Sequence, residues 1–190
     1  MTADIQASEP STPEKRIIAI ALDASKFSDY AFHWALDHYL RPSDHVLLLN
    51  VQQHASAYIA GNILIHDPFT PVDTTTSLSP KDESHALLAR YVRILESKKS
   101  VASFKAVSIH PSYVSIKESI VREVAVLKAT VLIVGSRGLD GMSRGFLGSV
   151  SDYCAHHCHC PVVIVRPSEE DVKKFGTSFE VAAMAARGPF

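Results

Sequence analysis

Short apolar runs alternate along this chain with longer stretches of helical periodicity, and this alternation limits the possible folds more than any other feature. The runs have the length and composition of β-strands and lie at Arg16–Leu22, His45–Gln52, Ser103–Ile109, Val131–Val134 and Val162–Val165. The first, fourth and fifth are apolar on both faces, as expected of strands covered by helices on both sides. The pattern predicts an α/β fold, an open Rossmann-like parallel sheet of five strands with helices on both faces.

Helices are expected between these strands, and each begins near a serine, whose hydroxyl can accept a hydrogen bond from an amide of the first helical turn. The predicted helices extend from Ser28 to Leu40, from Ser79 and Pro80 to about Ser97, from Ser115 to Leu127, and from Ser149 to Cys160. Strands and helices therefore alternate from the first strand to the fifth.

The chain of 190 residues is predicted to hold one globular domain between two tails. Residues 1–15 contain prolines, hydroxyl residues and acids without apolar periodicity, which indicates a disordered arm. Residues 16–167 are expected to form the domain and residues 168–190 a C-terminal tail. Residues 53–78 are too long for an ordinary strand-to-helix connection, so we interpret them as an insertion that forms a lid, an interaction loop or a disordered segment.

The charge balance argues against an extended basic surface for nucleic acid. The formal net charge is -1, and residues 16–167 carry 15 Lys and Arg against 13 Asp and Glu, whereas nucleic-acid affinity depends on many basic side chains.

No apolar run approaches the ~20 residues needed to span a bilayer, so no membrane association is expected. The three cysteines, all between Cys154 and Cys160, do not form a disulfide framework and no signal segment is recognisable, which predicts a cytoplasmic location.

The strand ends indicate where a ligand would bind. Open parallel sheets bind ligands beyond the carboxyl ends of their strands, where the strand order reverses. Three segments are expected there: Asp23-Ala24-Ser25 after the first strand, the residues around Val51 at the end of the second, and the loop 135–148 after the fourth.

The loop after the fourth strand holds five of the eight glycines of the chain, Gly135, Gly138, Gly141, Gly145 and Gly148. Glycine lets a backbone turn sharply and bring its N–H groups against a ligand. The loop ends where Ser149 opens a helix, and the unpaired amides and dipole of a helix N-terminus favour phosphate. Arg137 and Arg144 add positive charge. The loop therefore predicts a phosphate site, with a glycine-rich turn closed by a serine cap as the alternative.

The spacing Gly135-x2-Gly138-x9-Gly148-Ser149 resembles the Gly-x2-Gly-x9-Gly-Ser/Thr motif of nucleotide-binding universal stress proteins. The sequence that follows, SVSDYCAHHCHCPVVIVRP, is similar to the last helix and strand of that family, and the resemblance extends from Arg16 to Pro167. One departure is Thr130, where family members usually carry an aspartate just before the fourth strand.

The resemblance implies an ATP-binding stress-response or signalling protein, with Mg²⁺ accompanying the nucleotide, and no enzymatic activity beyond very slow ATP hydrolysis. Contacts to ribose and adenine are expected from Asp23, Ala24, Ser25 and the backbone at Val51. Contacts to the phosphates are expected from Gly135, Arg137, Gly138, Gly148, Ser149 and Val150. The resemblance also implies a homodimer, in which Val162–Val165 pairs with its copy across a two-fold axis.

A serine hydrolase is a remote alternative. Residues 141–145 spell Gly-x-Ser-x-Gly, the pattern of a nucleophile elbow. An elbow must follow its strand directly, whereas Ser143 lies nine residues after Val134. The downstream Asp and His candidates fall within one short helix: Asp152, His156, His157 and His159.

Two further alternatives concern the last helix and the loop. Cys154 and Cys158 are one helical turn apart and could both reach a zinc ion, but structural zinc sites draw on two separated ligand pairs. We favour a stripe of Val150, Cys154 and Cys158 that faces the sheet, since free cysteines are commonly buried.

The glycine loop 135–148 could also be purely structural, in which case the protein would be an interaction module without nucleotide.

Overall fold

The computed structural model describes residues 15–53, 79–111, 114–137, 147–168 and 170–172. The strands are β1 (Ile17–Ala21), β2 (His45–Val51), β3 (Ser103–Ile109), β4 (Val131–Gly135) and β5 (Val162–Val165). The helices between them are α1 (Lys26–His38), α2 (Pro80–Lys98), α3 (Ile116–Val126) and α4 (Ser149–His157). The predicted arm up to residue 14, most of the insertion and most of the C-terminal tail lie outside the described residues.

All five strands join one parallel sheet in the order β3-β2-β1-β4-β5, which confirms the predicted fold class. The order reverses between β1 and β4, because the chain first builds outward through β2 and β3 and then returns to the other side of β1. Thr130 serves this pairing: its Oγ1 accepts a hydrogen bond from the Ile17 N–H at 2.7 Å, and its N–H donates to the Ile17 carbonyl at 2.7 Å.

Two apolar clusters cover the sheet, one on each face, because successive strand residues point to opposite sides. Ile18 and Ile20 of β1 belong to the cluster that packs against α1 and α2, whereas Ala19 belongs to the cluster that packs against α3 and α4. The predicted covering of both faces is confirmed. β5 lies at the sheet edge, and only Val165 of its four residues is buried.

The prediction that Ser28 caps the first helix is wrong, because Ser25 occupies that position. Ser25 has the extended backbone of an N-cap (φ -79°, ψ 153°), and its Oγ accepts a hydrogen bond from the Ser28 N–H at 3.1 Å. Starting the helix three residues earlier places Ser28 inside the first turn and directs Phe32 into the core. The helix also ends at His38, before the predicted Leu40. The predicted caps Ser79 and Ser115 are confirmed.

In the part of the chain that the structure describes, none of the helices combines the length and apolar character needed to cross a lipid bilayer.

Candidate functional site

The carboxyl ends of β1 and β4 lie side by side at the point where the strand order reverses. β1 continues through Asp23 into α1, and β4 continues through Ser136 into the glycine loop that precedes α4. The amino termini of α1 and α4, each with a partial positive charge, therefore begin at this edge of the sheet, and open parallel sheets bind ligands in the crevice beyond such an edge.

Asp23 is half-buried at the start of α1 and is held by backbone and side-chain hydrogen bonds. Its N–H donates to the Ser28 Oγ at 2.9 Å, and its Oδ1 accepts from the Ser25 N–H at 2.9 Å. The carboxylate is thereby fixed in one orientation at the crevice. A carboxylate can accept several hydrogen bonds from ligand hydroxyls.

Ala24 and Val51 differ in what they expose. Ala24 is exposed next to Asp23, whereas Val51 at the end of β2 is only 4% exposed. The Val51 side chain packs into the cluster beneath α3 and α4. Any contact from Val51 to a ligand therefore comes from its backbone, and the neighbouring Gln52 N–H already donates to the Ile109 carbonyl at 2.9 Å.

Gly135, the last residue of β4, lies against the first turn of α1. A β-carbon on Gly135 would come within 2.8 Å of the Phe27 carbonyl oxygen and 3.1 Å of the Ser28 nitrogen. Only glycine permits this approach, so the absence of a side chain here fixes the distance between α1 and the start of the loop.

Ser136 joins both ends of the glycine loop and was not singled out from the sequence. Its carbonyl accepts hydrogen bonds from the Gly148 N–H at 2.8 Å and from the Ser151 Oγ at 3.2 Å, and its N–H donates to the Val165 carbonyl at 2.9 Å. Ser136 is 2% exposed. Because these bonds use mainly the backbone of Ser136, no residue pattern would have identified the role.

Gly148 is the N-cap of α4, and Ser149 is its first helical residue, so the alternative of a serine cap at Ser149 is wrong. Gly148 has φ -69° and ψ 152°, which any residue can adopt. No described side chain caps this helix. Ser149 is exposed, and Val150 is half-buried against the core below α4. The first amides of α4 therefore lack a side-chain acceptor among the described residues.

Arg137 lies at the start of the glycine loop, with its guanidinium carbon 5.6 Å from the centre of the Phe27 ring. Both side chains are half-buried. Gly138, Ser143 and Arg144 lie outside the described residues. The predicted site residues that the structure describes thus lie at the ends of β2 and β4, at the start of α4, and in the connections that follow β1 and β4.

The chemistry of this crevice suits a ligand with hydroxyls and an anionic group. Asp23 supplies acceptors for hydroxyls, and the uncapped start of α4 supplies N–H donors for an anion. Arg137 supplies a positive charge beside them. Phe27 and Ser28, which were not among the predicted site residues, contact Arg137 and Asp23 respectively.

Cys154 of α4 is part of the core, and Cys158, the residue after this helix, packs against it. Cys154 is fully buried, and Val150 and Cys158 pack against the same cluster, which confirms the predicted stripe. Burial, together with the neighbouring Cys158, raises the pKa of the Cys154 thiol to about 12. In the described segments no three His, Cys, Asp or Glu residues are grouped as metal ligands.

His156 and His157, two of the histidines considered for a hydrolase, lie at the far end of α4. The His156 Nδ1 contacts the Asp152 carbonyl at 2.8 Å, and the His157 ring stacks on Tyr153 with centroids 3.9 Å apart. At 1.5 Å per residue, His156 is about 10 Å along the axis from the start of the helix. These contacts account for both histidines without a catalytic role.

Fold and crevice define an open, doubly wound α/β protein with a polar site at the switch point of its sheet. The chain belongs to the universal stress protein family, whose sequence model matches residues 15–166. Universal stress protein PHOS34 of Arabidopsis thaliana is 35% identical over 176 residues, which cover 85% of this chain and 66% of that protein. The chain thus spans just under two thirds of the length of that relative.

Solved structures share the fold. A universal stress protein family protein from Arabidopsis thaliana with AMP bound has a TM-score of 0.54 and 23% identity, covering 82% of this chain and 94% of that one. A universal stress protein in complex with cAMP has a TM-score of 0.55 and 16% identity, covering 81% and 98%. Both likenesses concern the arrangement of strands and helices.

Proposed function

We propose that the protein binds an adenine nucleotide, ATP with Mg²⁺, in the crevice between the ends of β1 and β4. Nucleotide occupancy would change its conformation or its partner, so that it acts as a stress-response or signalling module. It would be a binding protein and not an enzyme, with at most very slow ATP hydrolysis.

The observation that carries the proposal is the start of α4. Ser25, Ser79 and Ser115 cap α1, α2 and α3 with their hydroxyls, whereas no described side chain caps α4. The N-cap of α4 is a glycine in a conformation that does not require glycine. A small residue and unpaired amides at the end of a glycine loop are what a phosphate needs.

The remaining contacts follow from the shape of the crevice. Asp23 would accept hydrogen bonds from the ribose hydroxyls, with Ala24 and Ser25 beside it. The adenine would lie toward the backbone of Val51, since β2 neighbours β1 on the side away from β4. The phosphates would lie toward Gly135, Arg137, Gly138, Gly148, Ser149 and Val150.

The similar structures support the choice of ligand. One was solved with AMP and another with cAMP, and each of these ligands combines adenine, ribose and a phosphate. Mg²⁺ is proposed as a companion of the ATP phosphates, because Mg²⁺ is commonly held by substrate phosphates and water with few protein ligands.

We also propose that β5 pairs with β5 of a second copy. Val162, Val163 and Ile164 are apolar yet only partly buried at the sheet edge, and an open apolar edge tends to pair. Light scattering at micromolar concentration should give the mass of a dimer. A monomeric mass would contradict the pairing.

A cytoplasmic location completes the proposal. The three cysteines are free thiols, as is usual in a reducing compartment. Cell fractionation with a tagged chain tests this location, and recovery only in a secreted or membrane fraction would refute it.

Calorimetric titration tests nucleotide binding directly. Wild type should bind ATP with Mg²⁺, and Gly148→Val should bind it more weakly because a branched side chain obstructs the phosphates. Asp23→Asn should weaken adenosine as well as ATP, since it acts on the ribose. Asp37→Asn, an exposed carboxylate of α1 that pairs with Lys98 at 3.1 Å, is the matched control and should bind as wild type does.

Thermal unfolding tests nucleotide binding independently of calorimetry. A ligand present at 100 times its dissociation constant stabilises the folded protein by about 2.7 kcal/mol, which raises its melting temperature. Absence of both heat and thermal shift with adenosine, AMP and ATP would favour the interaction module without nucleotide. Equal ATP affinity of wild type and Gly148→Val would refute the phosphate assignment.

A further inference from the structure

Phe27 and Arg137 form a contact that neither the motif nor the resemblance explains. The guanidinium carbon of Arg137 lies 5.6 Å from the centre of the Phe27 ring, within the range of a cation–π interaction. Phe27 is the second residue of α1, and Arg137 is the second residue after β4. The contact therefore connects the two sides of the crevice.

The backbone beneath this pair fixes its position. The Phe27 carbonyl lies so close to Gly135 that a β-carbon there would be 2.8 Å away. Ser136, between Gly135 and Arg137, holds the N-cap of α4 through the Gly148 N–H at 2.8 Å. Arg137 consequently extends from a point tied to the starts of both α1 and α4.

A cation that is already held in place binds an anionic ligand more tightly than a mobile one does. An arginine side chain loses considerable rotamer entropy when a ligand immobilises it, and a preorganised side chain loses less. The flat guanidinium stacks on an aromatic face and still has N–H groups to donate at its edge. The Phe27 ring thus orders Arg137 before any anion arrives.

We propose that Phe27 is a positioning residue, whose ring holds the Arg137 guanidinium at the mouth of the crevice and makes affinity rise with the number of phosphates on an adenosine ligand. The inference rests on the proposed nucleotide function and deepens it by assigning selectivity for phosphorylated forms over the nucleoside. Phe27 itself would not touch the nucleotide.

Calorimetric titrations of adenosine, AMP and ATP test the proposal. Phe27→Leu removes the aromatic face and should weaken ATP about threefold, AMP by less and adenosine not at all. Phe27→Tyr keeps the face and should retain the wild-type ratio of ATP to adenosine affinity. In an Arg137→Gln background, Phe27→Leu should cause no further loss, since the side chain that it positions is absent.

Two variants separate positioning from folding. Phe104→Leu, a half-buried phenylalanine of β3, is the matched control and should leave all three affinities unchanged. If Phe27→Leu does not fold, Phe27→Met supplies a residue of similar bulk without an aromatic face, and the same pattern is expected.

The outcomes distinguish a failure of this inference from a failure of the proposed nucleotide binding on which it rests. Equal weakening of adenosine, AMP and ATP by Phe27→Leu, or no weakening, would overturn the positioning role and leave nucleotide binding intact. Additive losses with Arg137→Gln, or a Phe27→Tyr variant that behaves as Phe27→Leu does, would also overturn it. Failure of wild type to bind any of the three ligands would refute the proposed function, and the inference with it.

Discussion

The carbonyl oxygen of Phe27 occupies the space that a side chain on Gly135 would need, 2.8 Å from the position of a β-carbon. The close approach brings the first turn of α1 against the last residue of β4. Glycine is required at this position for space, and the contact sets the width of the proposed site.

Gly135→Ala should destabilise the fold by about 1 to 3 kcal/mol, because the new methyl group must displace the backbone of α1. Urea unfolding measures the change. Gly148→Ala is the matched control: its backbone conformation suits any residue, and it should cost less than about 1 kcal/mol as a poorer N-cap. Equal costs for the two variants would contradict the close contact.

Gly148→Ser should raise stability by about 0.3 kcal/mol and weaken ATP binding at the same time. A serine hydroxyl would accept a hydrogen bond from the first turn of α4 and so compete with the phosphates. Melting temperatures and calorimetric titration measure the two effects. Ser115→Ala, which removes the cap of α3, should instead lower stability by about 1 kcal/mol and leave ATP binding unchanged.

Lys99→Gly should stabilise the protein by about 0.5 to 1 kcal/mol, since Lys99 ends α2 in the left-handed conformation that glycine prefers (φ 46°, ψ 37°). Chemical denaturation of this variant and of Lys98→Gly tests the argument. Lys98 lies in the last turn of α2 and pairs with Asp37, so glycine there should be destabilising. Destabilisation by Lys99→Gly would show that another contact of Lys99 outweighs its backbone strain.

Asp44→Ala should lower the free energy of unfolding by about 3 kcal/mol. Asp44 is fully buried, and the substitution would leave the charge of its partner Arg16 without a counterion. Its Oδ1 lies 3.4 Å from the Arg16 Nη1, and its Oδ2 accepts from the Arg41 N–H at 2.9 Å. Urea unfolding should show a much smaller change, below about 1 kcal/mol, for Asp37→Ala in the exposed pair with Lys98. A similar small loss in both variants would argue against a structural role for the Arg16–Asp44 pair.

Alkaline pH should weaken the native state partly through Cys154. Its folded pKa is raised from 9.0 to about 12, so above pH 9 the unfolded chain releases a proton that the folded chain retains. Stability therefore falls as pH rises, and this thiol contributes about 1 kcal/mol of loss by pH 10. Denaturation at pH 8 and pH 10 should show a smaller fall for Cys154→Ala than for wild type. An unchanged fall would assign the alkaline loss to other groups.

The strands were predictable because each is an apolar run, and apolar runs between helical segments leave few alternatives. Helix starts were predictable where the residues after the cap also suit a first helical turn, as Pro80 does after Ser79 and Glu118 does three residues after Ser115. At α1 two serines three residues apart both suited the local pattern. The choice of Ser25 depends on which helical face meets the sheet, which is a property of the packed structure.

Candidate site residues were predictable where the side chain or its absence carries the chemistry, as for Asp23 and the glycines. Phe27 and Ser136 were missed for different reasons. Ser136 acts mainly through its backbone, and Phe27 acts through a contact with a residue 110 positions away in the sequence. Neither role leaves a local pattern.

The three hydrogen bonds of Ser136 connect parts of the molecule that the two proposals treat separately. Its carbonyl holds the start of α4, where phosphate is proposed, and its N–H holds Val165 at the end of β5, where a second copy is proposed. A shift of α4 must therefore be shared by the end of β5 or must break one of these bonds. Ligand occupancy and edge pairing would be mechanically coupled through the backbone of a single buried residue.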